Sequence, residues 1–350
     1  MRFTEALASQ AAMVLTKQRL ISELEKMFES LIQLIATAID DKSPYTGGHC
    51  RRVPELTSLI AEAAHNSQSD YLKNFQLSNA DRYQLNVAGW LHDCGKLTTP
   101  EYVVDKATKL ETIYDRLETV ETRFEALKRD AEIKHLKDQI NALQQGKTIE
   151  PQNCNQAQEK LIDDLNFIKK SNTGSEFMRP EAQERIKEIA QRTWVKSGKE
   201  LPFLSADEIL NLNISRGTLT NPERDIIQQH ISTTISMLDK INFPKHLQNE
   251  PEYACAHHER MNGKGYPNHL TREQMSIPAR AMAIADIFEA LTAADRPYKE
   301  SKKLSEALFI LKKMKEDNHI DPDIYDAFIQ EKVYLKYAQK FLEDSQIDIT

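Results

Sequence analysis

The chain has 350 residues, 40% hydrophobic and 28% charged, the balance of a soluble globular protein with room for more than one domain. Its formal net charge of −7 gives no field that favours polymeric nucleic acid or an anionic membrane, so any phosphate must be held by a local site. No apolar run approaches the ~18 residues of a membrane span, and the opening "MRFTEALASQ" lacks the apolar core of a signal peptide, so a cytoplasmic protein is expected. Cys50, Cys94, Cys154 and Cys255 are scattered with no CxxC pairing, which fits a reducing compartment and excludes a zinc ribbon or a disulfide scaffold. Few glycines and long runs of Ala, Glu, Lys and Leu predict an all-α fold.

Residues 1–39 read as one amphipathic helix. Val14, Ile21, Phe28 and Ile35 recur every seventh position, with Leu24, Leu31 and Ala38 completing an a/d seam. Such a seam serves a two-stranded coiled coil or a helix packed on its own domain equally well. Residues 40–108 are dense in helix patterns and in polar residues of chemical interest. Over residues 109–212 the character changes. Leu110, Ile113, Leu117, Val120, Phe124 and Leu127 step by three and four, and Ile133, Leu136, Ile140 and Leu143 continue after a phase slip. This predicts an inserted helical hairpin, its later arms near 157–170 and 180–195, separated by the turns "QQGKTIEPQNCNQ" and "KKSNTGSEF". Residues 213–350 resume the earlier style, with a helix start at Thr220 or Asn221 ahead of Pro222 and Glu223. One catalytic domain interrupted by a helical insert is the simplest account.

Five of the ten histidines stand in settings that look chosen: His49 in "YTGGHCRRV", His92 in "WLHDCGK", His230 in "IIQQH", and the adjacent His257 and His258 in "HHERMNGKGYP". Asp93 accompanies His92, and Asp286 lies in "AIADIFEAL", where an ionised carboxylate is costly unless something pairs with it. Any one of these residues is more simply an ordinary core side chain with satisfied hydrogen bonds. Seven of them on separate helices reverse that judgement. Consecutive residues on a helix diverge by about 100°. His92 and Asp93 therefore suit a terminal imidazole beside a bridging carboxylate, and His257 and His258 can feed one metal each. Imidazole with carboxylate and no thiolate favours iron, manganese or zinc over copper.

These segments carry a family resemblance. "HDCGK" resembles the signature of the HD phosphohydrolase superfamily, while "PYTGGHCRRV", "HHERMNGKGYP" and "IPARAMAIADIFEALTAADRPYK" resemble its HD-GYP branch, bacterial phosphodiesterases for cyclic dinucleotides. The likeness spans about residues 36–108 and 213–335. The opening "FTEALASQAAMVLTKQRLISEL" is similar to the last helix of a GAF sensor domain, which would make the chain the output end of a larger sensor. The implied fold is an HD-type helical bundle around a metal site.

The resemblance implies metal ligation by His49, His92, Asp93, His230, His257, His258 and Asp286, with Asp93 bridging two divalent ions, iron or manganese first. It implies charge stabilisation by Lys96, a substrate loop of Gly265, Tyr266 and Pro267, and phosphate binding by Arg296 and Lys299. Hydroxide activated between the metals would open cyclic di-GMP or 3′,3′-cyclic GMP-AMP to the linear dinucleotide. A homodimer through the N-terminal helix is expected. The alternative is a catalytically silent module that binds a cyclic dinucleotide or a partner protein. Glu259 reads as a residue that orients an imidazole. Arg52 and Arg280 fit either phosphate binding or structural ion pairs. Asn262 stands where the family commonly has aspartate. The spacing around "RPYK" leaves the registry of Arg296 open. Tyr45, four residues before His49, replaces a glutamate that in some members holds a third metal, so two ions are expected here.

Overall fold

The structure, a computed structural model, describes residues 2–42, 48–146, 152–174, 177–244, 247, 249–294 and 301–349. Helix α1 (Arg2–Lys42) opens the chain as an uninterrupted rod. Among the described residues its last turns are anchored: Ile32, Ala36 and Ile39 are buried in a core shared with Cys50, Leu91, Cys94 and Ile231, with Phe28 packed at the edge. Each fully buried isoleucine contributes about 1.5–3 kcal/mol. Apart from Phe28, the predicted seam lies elsewhere on the helix. Val14 and Leu24 are 62% and 60% exposed, and Ile21, Leu31 and Ile35 are exposed as well.

Helix α2 (His49–Asn66) and α3 (Asn79–Leu91) follow, the second started by a capping box in which Ser78 and Asp81 satisfy each other's amides. His92 closes α3, and after Asp93 a 3-10 turn (Cys94–Thr98) carries Lys96. Chain contacts separate Pro100–Ile227 as a compact unit of its own, distinct from the unit formed by the segments 1–99 and 228–350.

The Pro100–Ile227 unit contains α4 (Glu101–Val104), α5 (Leu117–Gln144), α6 (Gln152–Asn172) and α7 (Pro180–Ala190). After them come strands β1 (Thr193–Lys196) and β2 (Lys199–Pro202), then α8 (Ala206–Leu212). The Lys169–Glu121 ion pair, joining the end of α6 to the start of α5, fixes these two helices as an antiparallel hairpin. Its core is Val120, Phe124, Leu165 and Ile168, joined by Ile186, Ile189 and Phe203. Here the sequence reading needs one correction: the arm expected to run to residue 195 stops at Ala190. Trp194 and Val195 instead pair antiparallel with Leu201 and Glu200 around Ser197–Gly198, both at positive φ. That is the geometry of a two-residue hairpin turn, and Ser-Gly supplies it. The fold is otherwise all-α, with this hairpin its only named sheet among the described residues.

Helix α9 (Asn221–Leu238) begins where expected, with the Thr220 hydroxyl and the Glu223 carboxylate each accepting the other's amide. The remaining elements are α10 (Glu250–Cys255), α11 (Ile277–Thr292), α12 (Leu304–Glu316), α13 (Pro322–Gln330) and α14 (Val333–Phe341). Apolar on nearly every face, α11 is buried along most of its length, as a central helix must be. Its Ala281, Ile284 and Phe288 pack with Val53, Leu56 and Ile60 of α2 and with Leu311, Phe328 and Tyr337 of the last three helices. No described helix is long and apolar enough to cross a membrane.

Candidate metal centre

Five segments deliver the chemistry. His49 is the first residue of α2, His92 and Asp93 directly follow α3, His230 lies on α9, and His257 and His258 follow α10. Asp286 comes from the middle of α11, and all but Asp286 and the half-buried His258 are buried. Close approach at the joints holds them together. A Cβ on Gly95 would come within 2.0 Å of the His230 carbonyl, so only glycine lets α9 lie this near the 3-10 turn. The Gly95 amide donates to the Thr234 hydroxyl at 2.9 Å, a second tie between the two.

The seven side chains converge. His49 Nε2 is 3.3 Å from His92 Nε2, 3.3 Å from Asp93 Oδ2 and 3.4 Å from Asp286 Oδ1. Asp93 stands between two groups of imidazoles: Oδ2 is 3.3 Å from His92 Nε2, and Oδ1 is 3.3 Å from His230 Nε2. Three sets have ligand atoms within 4.8 Å of one another: His49 with His92 and Asp286, His92 with Asp93 and His257, and His230 with His257 and His258.

The imidazoles are also oriented. His92 Nδ1 lies 2.6 Å from the Gly89 carbonyl and His257 Nδ1 lies 2.6 Å from the Ala254 carbonyl. A carbonyl only accepts, so each Nδ1 carries the proton and each Nε2 presents a lone pair to the cluster. His257 Nε2 is buried with no hydrogen-bond partner. Such an orphaned acceptor, aimed among carboxylates and other imidazoles, fits a divalent metal.

The third orienting partner escaped the sequence reading. Glu289, one turn beyond Asp286 on α11, is buried, and its Oε2 lies 2.5 Å from His49 Nδ1. Its Oε1 accepts from the Arg52 guanidinium at 2.7 Å. The available signal was a second carboxylate in the apolar run "ADIFEAL", which needs partners as much as Asp286 does. Arg52 is thus engaged by Glu289. Arg280 is tied to Asp321 and, at 3.1 Å, to the Tyr71 hydroxyl, a structural cluster.

The charges of the cluster act on one another. Burial alone would raise the Asp93 carboxyl, but the Lys96 ammonium at 2.5 Å and the surrounding imidazoles hold it well below the usual carboxylate range. Burial opposes a charge on His49, yet Glu289 and Asp93 outweigh it and push the imidazole up to about 10. Glu289 falls to about 2, its burial penalty overcome by His49 and Arg52. His257 is driven down to about 4, first by burial and then by the His92 ring, and His258 also falls well below its ordinary value. Neutral imidazoles are the form that binds metals.

The Gly265–Tyr266–Pro267 loop folds back over this cluster. The Tyr266 ring stacks on His258 with centroids 4.8 Å apart and planes 19° apart. Gly265 is required by crowding, since a Cβ there would fall 2.4 Å from the Glu259 Cα. Glu259 departs from its expected role. Its carboxylate accepts from the Asn268 amide at 2.7 Å and the Leu270 amide at 3.0 Å, so it holds the loop and not an imidazole. Asn262 is a further loop fastener, accepting from the Lys264 amide and donating to the Asp317 carbonyl. Tyr45, Arg296 and Lys299 lie outside the described residues.

A protein-family model described as "HD domain" matches residues 203–324, which include His230, His257, His258 and Asp286 but not His49, His92 or Asp93. A cyclic di-GMP phosphodiesterase of Pseudomonas aeruginosa is 37% identical over 125 residues, covering 35% of this chain and 28% of that protein. A Thermotoga maritima protein of the same name is 35% identical over 114 residues, covering 33% of this chain and 30% of its own length. A 3′3′-cGAMP-specific phosphodiesterase of Vibrio cholerae is 33% identical over 158 residues, 44% of this chain and 31% of that protein. The chain thus spans about three tenths of the length of these relatives. Residues 203–324 thus resemble an HD domain, and the chain is similar over about a third to under half of its length to cyclic dinucleotide phosphodiesterases.

Proposed function

We propose that this protein is a metal-dependent phosphodiesterase that opens a cyclic dinucleotide, cyclic di-GMP first and 3′,3′-cyclic GMP-AMP second, to its linear form. The observation that carries this reading is the convergence of five imidazoles and two carboxylates, with His92 and His257 held by backbone carbonyls so that Nε2 faces inward. Names of the relatives support the substrate class. In this reading the catalytic domain comprises residues 40–108 and 213–350, interrupted by the insert at 109–212.

His49, His92, Asp93, His230, His257, His258 and Asp286 would hold two divalent ions, iron or manganese, with Asp93 between them. When bound, such ions polarise phosphoryl oxygens and make a water molecule nucleophilic near neutral pH. The protein's part is to place and insulate. Glu289 and the carbonyls of Gly89 and Ala254 keep three imidazoles aimed and in one tautomer. Lys96 keeps Asp93 ionised, and its other ammonium hydrogens can meet charge building on the phosphate or the leaving ribose oxygen. Tyr266 covers His258 and, with Gly265 and Pro267, would shape the pocket for a base. Arg296 and Lys299 would clamp the second phosphate. The exposed seam of α1 would pair two copies into a homodimer. Buried cysteines outside any disulfide at Cys50, Cys94 and Cys255 fit a cytoplasmic setting.

The test is metal content and product formation from both dinucleotides, under anaerobic iron(II) and under manganese, for the wild type and Asp93→Ala. Loss of both metal and turnover in the variant is expected. Unchanged turnover refutes the reading, and binding of the dinucleotide without turnover in the metal-loaded wild type would establish the silent module instead.

A further inference from the structure

Helix α1 ends beside the ligand cluster, and its last turn is fastened to both segments that carry the first ligands. The Asp40 carboxylate accepts from the amides of Gly48 at 3.1 Å and Cys50 at 3.3 Å, the two residues that flank His49. The cap residue of α2 is Gly48, in the left-handed region, and it has no side chain to satisfy the first turn. Asp40 therefore supplies from α1 the capping oxygen that α2 lacks, with its charge at the favourable end of the helix dipole. Two residues further on, Lys42 Nζ donates to the carbonyls of Lys96 at 3.1 Å, Leu97 at 2.5 Å and Thr99 at 2.6 Å. These carbonyls end the 3-10 turn that starts directly after Asp93, and a cation is favoured there. Three donors of one ammonium meet three acceptors.

Both fasteners come from one turn of one rigid element, which is held in place by the burial of Ile39 and Ala36. A shift or rotation of α1 cannot move one without the other. Upstream, the same helix carries an apolar seam that is exposed among the described residues.

We propose that Asp40 and Lys42 are positioning residues that tie the register of α1 to the separation of His49 and Asp93, so that α1 is the lever by which the metal centre is adjusted. This rests on the reading of the cluster as a metal centre. The full chain is titrated with Mn(II), and affinity is measured for the wild type, Asp40→Asn, Lys42→Met, Lys42→Arg and the exposed control Lys26→Met. Asp40→Asn and Lys42→Met each weaken Mn(II) binding about tenfold or more, the range seen when groups that orient ligands are lost. Lys42→Arg, which keeps charge and donors, restores most of the affinity, and Lys26→Met leaves it unchanged. Wild-type affinity in both Asp40→Asn and Lys42→Met overturns the proposal. So does a loss that arginine does not rescue and that follows a fall in helical signal, because that marks a purely structural role. A wild-type chain that binds no Mn(II) removes the metal-centre reading itself, whereas binding that the substitutions leave untouched removes only the lever.

Discussion

Replacing Glu289 by glutamine isolates the orienting of one ligand from its identity. The carboxylate has two oxygens in use, one facing His49 Nδ1 at 2.5 Å and the other facing the Arg52 guanidinium at 2.7 Å. Glutamine keeps the shape but has a single acceptor, so either His49 loses its partner or Arg52 does. The negative charge of Glu289 favours a positive partner on His49 whether that partner is a proton or a metal. The electrostatic contribution therefore largely cancels between the metal-free and metal-bound states, and orientation decides. Loss of such a partner typically weakens metal binding 10–100-fold. That is about 1.4–2.8 kcal/mol. Alanine would be a poorer choice, because it strands the half-buried Arg52 charge and risks about 3–5 kcal/mol of fold stability. The assay is competition for Mn(II) against a fluorescent chelator, with thermal unfolding of the metal-free protein as the control. Affinity within a factor of two of the wild type in a folded Glu289→Gln protein would show that His49 needs no such support.

Gly95→Ala forces a Cβ to within 2.0 Å of the His230 carbonyl, so a loss of about 1–3 kcal/mol in stability is expected together with weaker Mn(II) binding, read by thermal unfolding and titration. Leu24→Glu, on the exposed seam, should weaken the proposed homodimer in sedimentation without lowering the unfolding temperature, whereas Ile32→Ala should cost about 2–5 kcal/mol. In the Pro100–Ile227 unit, burial would raise Glu208 and Glu223, but ion pairs with Arg123 and Lys106 lower both below the ordinary 4.5. The stability they contribute is fully present above pH 4.5 and is lost as pH falls through their depressed folded values. Glu208→Gln should therefore flatten the acid limb of an unfolding curve followed at Trp194, and an unchanged limb would count against that ion pair.

The parts of the site that were legible in the sequence are those whose chemistry shows in adjacent residues. His92–Asp93 and His257–His258 announce themselves as pairs, and Asp286 by its apolar surroundings. Glu289 was hidden because its partners lie on another helix far away in sequence, with only the unexplained charge to betray it. Glu259 misled for the opposite reason. Its neighbours in sequence are histidines, but the loop returns the amides of Asn268 and Leu270 to it, and nothing in the local pattern states that return. In α1 the seven-residue repeat is real, yet the stripe actually buried is Ile32, Ala36 and Ile39, rotated from the seam. Periodicity shows that a helix has an apolar face without showing which neighbour claims it. The hairpin at 193–202 went unseen because two short, exposed strands carry little hydrophobic pattern, and Ser-Gly was the only cue.

The excursion from Pro100 to Ile227 bears on how the chain finds its fold. His49, His92 and Asp93 precede it, and the other four cluster residues follow it, so the cluster cannot assemble until the ends of a long loop have met. Within the excursion, Lys106 Nζ donates to Glu223 at 2.7 Å, and the Thr218 hydroxyl donates to the Lys106 carbonyl at 2.9 Å. Entry and exit are thereby clasped by contacts internal to the unit. If this unit folds early around its own core, it delivers both ends already joined, and every halving of the effective loop saves about 0.6 kcal/mol of closure entropy. The Lys106–Glu223 clasp then acts on the rate at which the distant halves meet, and Lys106→Met should slow refolding of the cluster-bearing segments by more than it speeds their unfolding.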